Sequence, residues 1–232
     1  MQEIDHKKRL QAPELVRLMQ EASMQHTIAL KASVWDLEAE QVSWVLVKKE
    51  LHFERFPEWG EEITVETYPS GLDRFLTFRD YIVKDSQSNI IATAATTWTL
   101  MHTAERRIVR IPERFSTLLT DIPDTLPRPF DKLITSESPV INTALFKIGY
   151  FHLDWNGHTN NVHFIRFLLE SMPDELLFNH TLRSLKIQFK SEAMLHDQLE
   201  ASVIHTENKE FFHRIKRISD GKDVAIAVSE WI

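Results

Sequence analysis

Residues 150–173 read YFHLDWNGHTNNVHFIRFLLESMP, and they set a carboxylate, an amide and an imidazole at alternate positions: Asp154, Asn156 and His158. In an extended segment, residues two apart share a face, so the three would converge if that geometry continues through them. Asn160 and Asn161 then open an amphipathic run with Val162, Ile165, Leu168, Leu169 and Met172 on one face, and Pro173 stands just past its end. The start of a helix carries unpaired backbone N–H groups and a partial positive charge. Such a set fits hydrolysis. The N–H groups would stabilise an oxyanion, the amide would orient substrate or water, and imidazole or carboxylate would move a proton. Asp and Asn ahead of a helix are equally familiar as caps and turn formers, and spacing alone leaves both readings open.

Other chemistries are excluded more firmly. The 232-residue chain has no cysteine, which removes thiol nucleophiles, thiolate zinc sites and disulfides. His152, His158 and His163 do not form a ligand set, because His158 and His163 are five apart and do not share a helix face. We expect no metal and no cofactor, and we read His152 and His163 as surface or packing residues. A net charge of −7 disfavours nucleic acid. No apolar run approaches the ~20 residues that span a membrane. The opening MQEIDHKKRLQ lacks the apolar core of a signal peptide, so the expected location is cytoplasmic.

The elements that must position these groups are few helices and many strands. APELVRLMQEASMQHTIAL, with Pro13 in its first turn, reads as one helix, and NNVHFIRFLLESM as another. Strand texture fills QVSWVLVKKELHFERF, EITVETYPS, RFLTFRDYIVKD and NIIATAATTWTLMH. It returns in TLRSLKIQFKS, LEASVIHTE, KEFFHRIKRIS and DVAIAVSEWI. The proline-rich stretch 116–138 reads as a linker between domains 1–120 and 135–232. Residues 16–21, VRLMQE, can be laid on 165–170, IRFLLE, at an offset of 149. Each half is then a short strand, one helix and about four antiparallel strands. One helix covers a single face of a sheet that curls around it. The expected fold is α+β, two tandem hot-dog domains, each an antiparallel sheet wrapped around one long helix.

The segment DWNGHTNNVHFIRFLLESMP resembles the Asp-x-Asn-x-His-x-Asn-Asn signature of acyl-acyl carrier protein (acyl-ACP) thioesterases, down to Glu170, Ser171 and Pro173. FERFPEWGEEITVETY, with Arg55, Phe56, Pro57, Trp59 and Gly60, and RRIVRIPE (106–113) are similar to two further motifs of that family, in the same order. The resemblance implies hydrolysis of fatty acyl-ACP to free fatty acid, in fatty acid biosynthesis. It implies a catalytic network of Asp154, Asn156, His158 and Glu192, the last in FKSEA, and oxyanion donors at Asn160–Asn161. Ala193 follows Glu192 where plant members often carry cysteine, so attack falls to water or a carboxylate. An acyl-CoA thioesterase and a non-catalytic acyl-binding hot-dog protein are the rival readings. Under the offset of 149, Asp154, Asn156 and His158 fall on Asp5, Lys7 and Arg9, so the first half lacks the amide and the imidazole. It is expected to hold the acyl chain, with Leu18, Met19, Ala22 and Met24 as the wall. Acyl carrier protein, being acidic, is expected to dock on Arg106, Arg107 and Arg110 or on Arg214 and Lys216. A homodimer stays open, and the opening residues favour a bacterial over a plastid protein.

Overall fold

The structure, a computed structural model, describes residues 3–119, 125–133, 138–206 and 210–232. The chain divides into two compact units, Met1–Pro129 and Phe130–Ile232. In unit 1, helix α1 (Ala12–Ala29) is followed by a short helix α2 (Val34–Glu38) and by strands β1 (Val42–Phe53), β2 (Ile63–Leu72), β3 (Thr77–Asp85) and β4 (Ile90–His102). They pair in the order β2-β3-β4-β1, all antiparallel, and β5 (Arg107–Val109) folds back on β4. Pro69, which cannot donate to a ladder, falls on the edge strand β2 at a bulge. Gly71, across the bulge, leaves room for the Arg128 guanidinium, which a Cβ there would meet at 2.2 Å.

Unit 2 opens with β6 (Val140–Lys147), then a single 3₁₀ turn (Tyr150–His152), helix α3 (Asn161–Glu170) and helix α4 (Asp174–Asn179). Strands β7 (Leu182–Phe189), β8 (Gln198–His205), β9 (Glu210–Arg217) and β10 (Asp223–Trp231) complete an antiparallel sheet in the order β7-β10-β9-β8-β6. In each unit the apolar stripe of one helix meets the sheet. Leu15, Val16 and Met19 of α1 and Ile165 and Leu168 of α3 are fully buried, and α3 packs on β6, β8 and β9. Burying side chains of this size stabilises by roughly 1.5–3 kcal/mol each.

Three local expectations change. YFH is a 3₁₀ turn rather than a strand opening, and the first strand of unit 2 lies earlier, at Val140–Lys147. Its exposed Ile141 and Leu145 hide the usual alternation signal. Pro173 does more than stop α3, since its carbonyl accepts the Leu176 and Leu177 amides and starts α4. The stretch 116–138 is only partly a linker. Residues 120–124 and 134–137 lie outside the described residues. Within the rest, Leu126 N–H donates to Asp80, Arg128 donates to the Ser70 carbonyl at 3.0 Å and lies 4.0 Å from the centre of the Phe78 ring. Phe130 and Leu133 pack instead on Ile204, Phe212 and Ile226 of unit 2. The segment therefore carries anchors for both units.

Candidate active site

The segment holding Asp154, Asn156 and His158 does not stay extended. Asp154 N–H donates to the His158 carbonyl at 2.7 Å, and Gly157 N–H to the Asp154 carbonyl at 3.0 Å, closing a tight turn. Gly157 sits at φ +75°, the left-handed region where a side chain costs strain. The Asp154 Oδ1 accepts from the amides of Asn156 (2.9 Å) and His158 (3.2 Å). The three side chains therefore do not line one strand face. Asp154 turns inward to its own backbone, and Asn156 is exposed on the turn.

Unit 1 contains the same loop. Asp5 Oδ1 accepts from the amides of Lys7 and Arg9, both at 2.8 Å. Asp5 N–H donates to the Arg9 carbonyl, Lys8 N–H to the Asp5 carbonyl and Gln11 N–H to the Glu3 carbonyl. Adding 149 to each number gives the bonds of Asp154, Gly157 and Asn160, the last donating to the His152 carbonyl. Lys8 holds the left-handed position of Gly157, at φ +61°. The bridges Ile4–Leu10 and Leu153–Thr159 correspond as well. This agreement, bond for bond, is far stronger than the helix-to-helix match in sequence. It also shows that the aspartate builds the loop whether or not an imidazole follows.

The two loops part company at the residue after the turn. In unit 1, Arg9 bends back onto Asp5, with Nε and Nη2 at 3.1 and 3.0 Å from Oδ2. In unit 2, His158 reaches away from the turn, and its Nε2 lies 3.5 Å from Glu192 Oε2, both side chains being part-exposed. The family resemblance places Glu192 on the strand after α3, but it lies three residues past the end of β7. The loop is fastened to that segment by Thr159, whose N–H and hydroxyl both donate to the Ala193 carbonyl at 2.8 and 2.9 Å. Arg217 Nη1 donates to the Glu192 carbonyl at 2.9 Å. Thr159 and Arg217, which sequence reasoning passed over, hold the His158–Glu192 pair in place. In sequence the one pointer was a threonine directly after His158, and its burial shows only in the structure.

Asn160 caps α3, its side chain accepting from Val162 N–H at 3.0 Å, while its carbonyl accepts from His163 N–H. Asn161 is the first helical residue, so its amide stands at the positive end of α3. His152 and His163 pack against Phe167, His152 edge-on and His163 tilted, and the two imidazole centres are 4.8 Å apart. Among the described residues, no group of three His, Asp or Glu could hold a metal ion. Among the described residues, no helix is long and apolar enough to cross a membrane.

The remaining expected residues scatter. On α1, Met19 is buried, Leu18 and Ala22 are half-buried, and Met24 is 42% exposed on the opposite side, so the four do not form one wall. The buried face continues through Ser23 instead. Arg106 is exposed in the β4–β5 turn and Arg110 is exposed just past the end of β5, while Arg107 pairs with Glu105. Arg214 lies 3.6 Å from Asp223 and over the ring of Phe212, and Lys216 is half-buried on the same strand.

Each unit is a hot-dog domain, an antiparallel sheet wrapped on one helix. Residues 1–119 match the family model for the acyl-ACP thioesterase N-terminal domain, and residues 136–232 the model for its C-terminal domain. The chain belongs to the acyl-ACP thioesterase family. It is similar to two chloroplastic acyl-[acyl-carrier-protein] hydrolases of Cuphea viscosissima. One is 26% identical over 94% of this chain and 57% of the relative; the other is 30% identical over 81% and 48%. The chain thus spans about half the length of the curated relatives it matches. The solved structure of an acyl-ACP thioesterase from Bacteroides thetaiotaomicron superimposes with a TM-score of 0.88 at 22% identity, covering 99% of this chain and 93% of that one.

Proposed function

We propose that the chain hydrolyses the thioester of fatty acyl-ACP, releasing free fatty acid and the carrier protein's thiol. The observation that carries this reading is the His158–Glu192 contact of 3.5 Å beside the capped start of α3, in a chain of this family. Glu192 and His158 act together as the base that draws a proton from water, or Glu192 attacks the carbonyl itself. The oxyanion is received by the Asn161 amide at the helix mouth. Asn156, exposed on the turn, holds substrate or water. Asp154 is a positioning residue: its carboxylate fixes the turn that aims His158 at Glu192. Unit 1, whose loop has arginine where unit 2 has histidine, receives the alkyl chain. The partner is an acidic carrier protein, met by the exposed Arg106 and Arg110.

Incubating the purified chain with acyl-ACP and with acyl-CoA and measuring free thiol tests the reading. Release from acyl-ACP at the higher kcat/KM supports it. Preference for acyl-CoA replaces the substrate, and no release from either makes the chain a binding protein.

A further inference from the structure

The inner face of the unit 1 sheet carries charge where an alkyl chain offers none. Lys49 of β1 is 3% exposed and Arg79 of β3 is 8% exposed. Both face Thr96 of β4 across the ladder, Lys49 from one side and Arg79 from the other. Cross-strand partners share a face, so the two cations point to the same side, about 10 Å apart at the backbone. That side faces α1. Arg79 Nη1 lies 3.0 Å from His26 Nδ1 and 3.1 Å from Thr67 Oγ1, and the Tyr81 hydroxyl bonds Ser23 of the helix. Lys49 reaches across β4, and its Nζ lies 5.9 Å from the centre of the Tyr81 ring, next to Arg79 on β3.

Neither cation has a carboxylate partner among the described residues. The nearest in sequence, Asp80, is buried on the other face of β3, bonded to Ser70 and the Leu126 amide. The Lys49 amine makes no hydrogen bond or ion pair among the described residues and meets the Tyr81 ring instead. Burial pushes its pKa down to about 8, which still leaves the amine mostly protonated at neutral pH. A guanidinium keeps its charge in any protein. A buried cation without a counter-ion is costly to the fold unless something compensates.

We propose that Lys49 and Arg79 bind a carboxylate at the end of an alkyl chain, inside unit 1 and over Tyr81. The inference rests on the reading that unit 1 receives the chain. Two sources supply this chemistry: the far end of an acyl chain that carries a terminal carboxylate, or a free fatty acid, the product of the reaction.

Titration calorimetry with decanoate and with decan-1-ol tests the site without turnover. Wild type should bind decanoate about tenfold or more tighter, because a charge-assisted hydrogen bond contributes roughly a factor of ten or more. In Lys49→Met and Arg79→Met that gap should shrink to about twofold or less. Lys49→Met removes an unpaired buried charge and keeps the volume, so it should melt no lower than wild type; if Arg79→Met does not fold, Lys49→Met alone decides. No gap in wild type, or a gap that survives in folded Lys49→Met, overturns the inference. The source is then read from turnover. A lower KM for a decanoyl thioester with a terminal carboxylate than for plain decanoyl thioester, lost in Lys49→Met, assigns the site to the chain end. Equal KM values with competitive inhibition by decanoate assign it to the product. A protein that binds decanoate through Lys49 yet releases no thiol from acyl-ACP refutes the thioesterase reading and leaves this site standing.

Discussion

Asp154 and His158 stand four residues apart, and their roles separate by geometry. The Asp154 carboxylate is spent on two amides, as Asp5 is in a loop that has no imidazole. An amide oxygen can accept the same two bonds, though without the assistance of a charge. Asp154→Asn should therefore keep kcat within about tenfold, whereas Asp154→Ala strands two N–H groups and should lower kcat about 10²-fold at little change in KM. Steady-state kinetics on acyl-ACP decides; equal losses in both variants would mean that the charge itself takes part. The residue types of the site were legible from the motif, and so was the partnership of His158 with the distant Glu192. Their arrangement was not, since alternate spacing on a strand and the same spacing across an aspartate turn look alike in sequence. Lys49 was illegible for a related reason. A bulge between Leu46 and Lys48 shifts the alternation of β1, so Lys49 rather than Lys48 faces inward.

At the scale of elements, the helices and the long strands follow their patterns, because burial of one face imposes the period. The short pieces escaped: α2 and α4 are under two turns, and β6 shows its apolar residues to solvent. The proposed docking of an acidic carrier protein rests on the β4–β5 region. Arg106 in the β4–β5 turn and Arg110 just past β5 are exposed, and Arg214 pairs with Asp223. Charge at a rim acts mainly through association rate and salt dependence. Reversing Arg106 and Arg110 to Glu should raise KM for acyl-ACP about tenfold at low salt and flatten its salt dependence, with hydrolysis of a small acyl thioester little changed. Kinetics at several ionic strengths checks this, and equal effects on both substrates would place these arginines elsewhere in the function.

For the whole molecule, stability carries an acid limb from His213. It lies fully buried on β9, with Nε2 2.6 Å from Ser229 Oγ, and burial pushes its pKa down to about 3. The unfolded chain takes up that proton first, near pH 6.5. The contribution is complete above about pH 6.5 and is lost as pH falls toward about 3. Urea midpoints between pH 7 and 4 should therefore fall more steeply in wild type than in His213→Leu; parallel slopes would contradict the assignment. Duplication, too, is a property of the whole chain. It showed in sequence only as a faint helix match, because bonds made by backbone groups leave side chains free to diverge, as Lys7, Lys8 and Arg9 have from Asn156, Gly157 and His158. The central claim is that this divergence armed one loop for hydrolysis. Thiol release from acyl-ACP by folded His158→Ala and Glu192→Gln measures it most directly. Each should lose about 10²-fold or more in kcat, and the double variant little beyond the worse single, as for groups that act as one base. Near-wild-type turnover in either variant, with its melting temperature unchanged, would contradict the account.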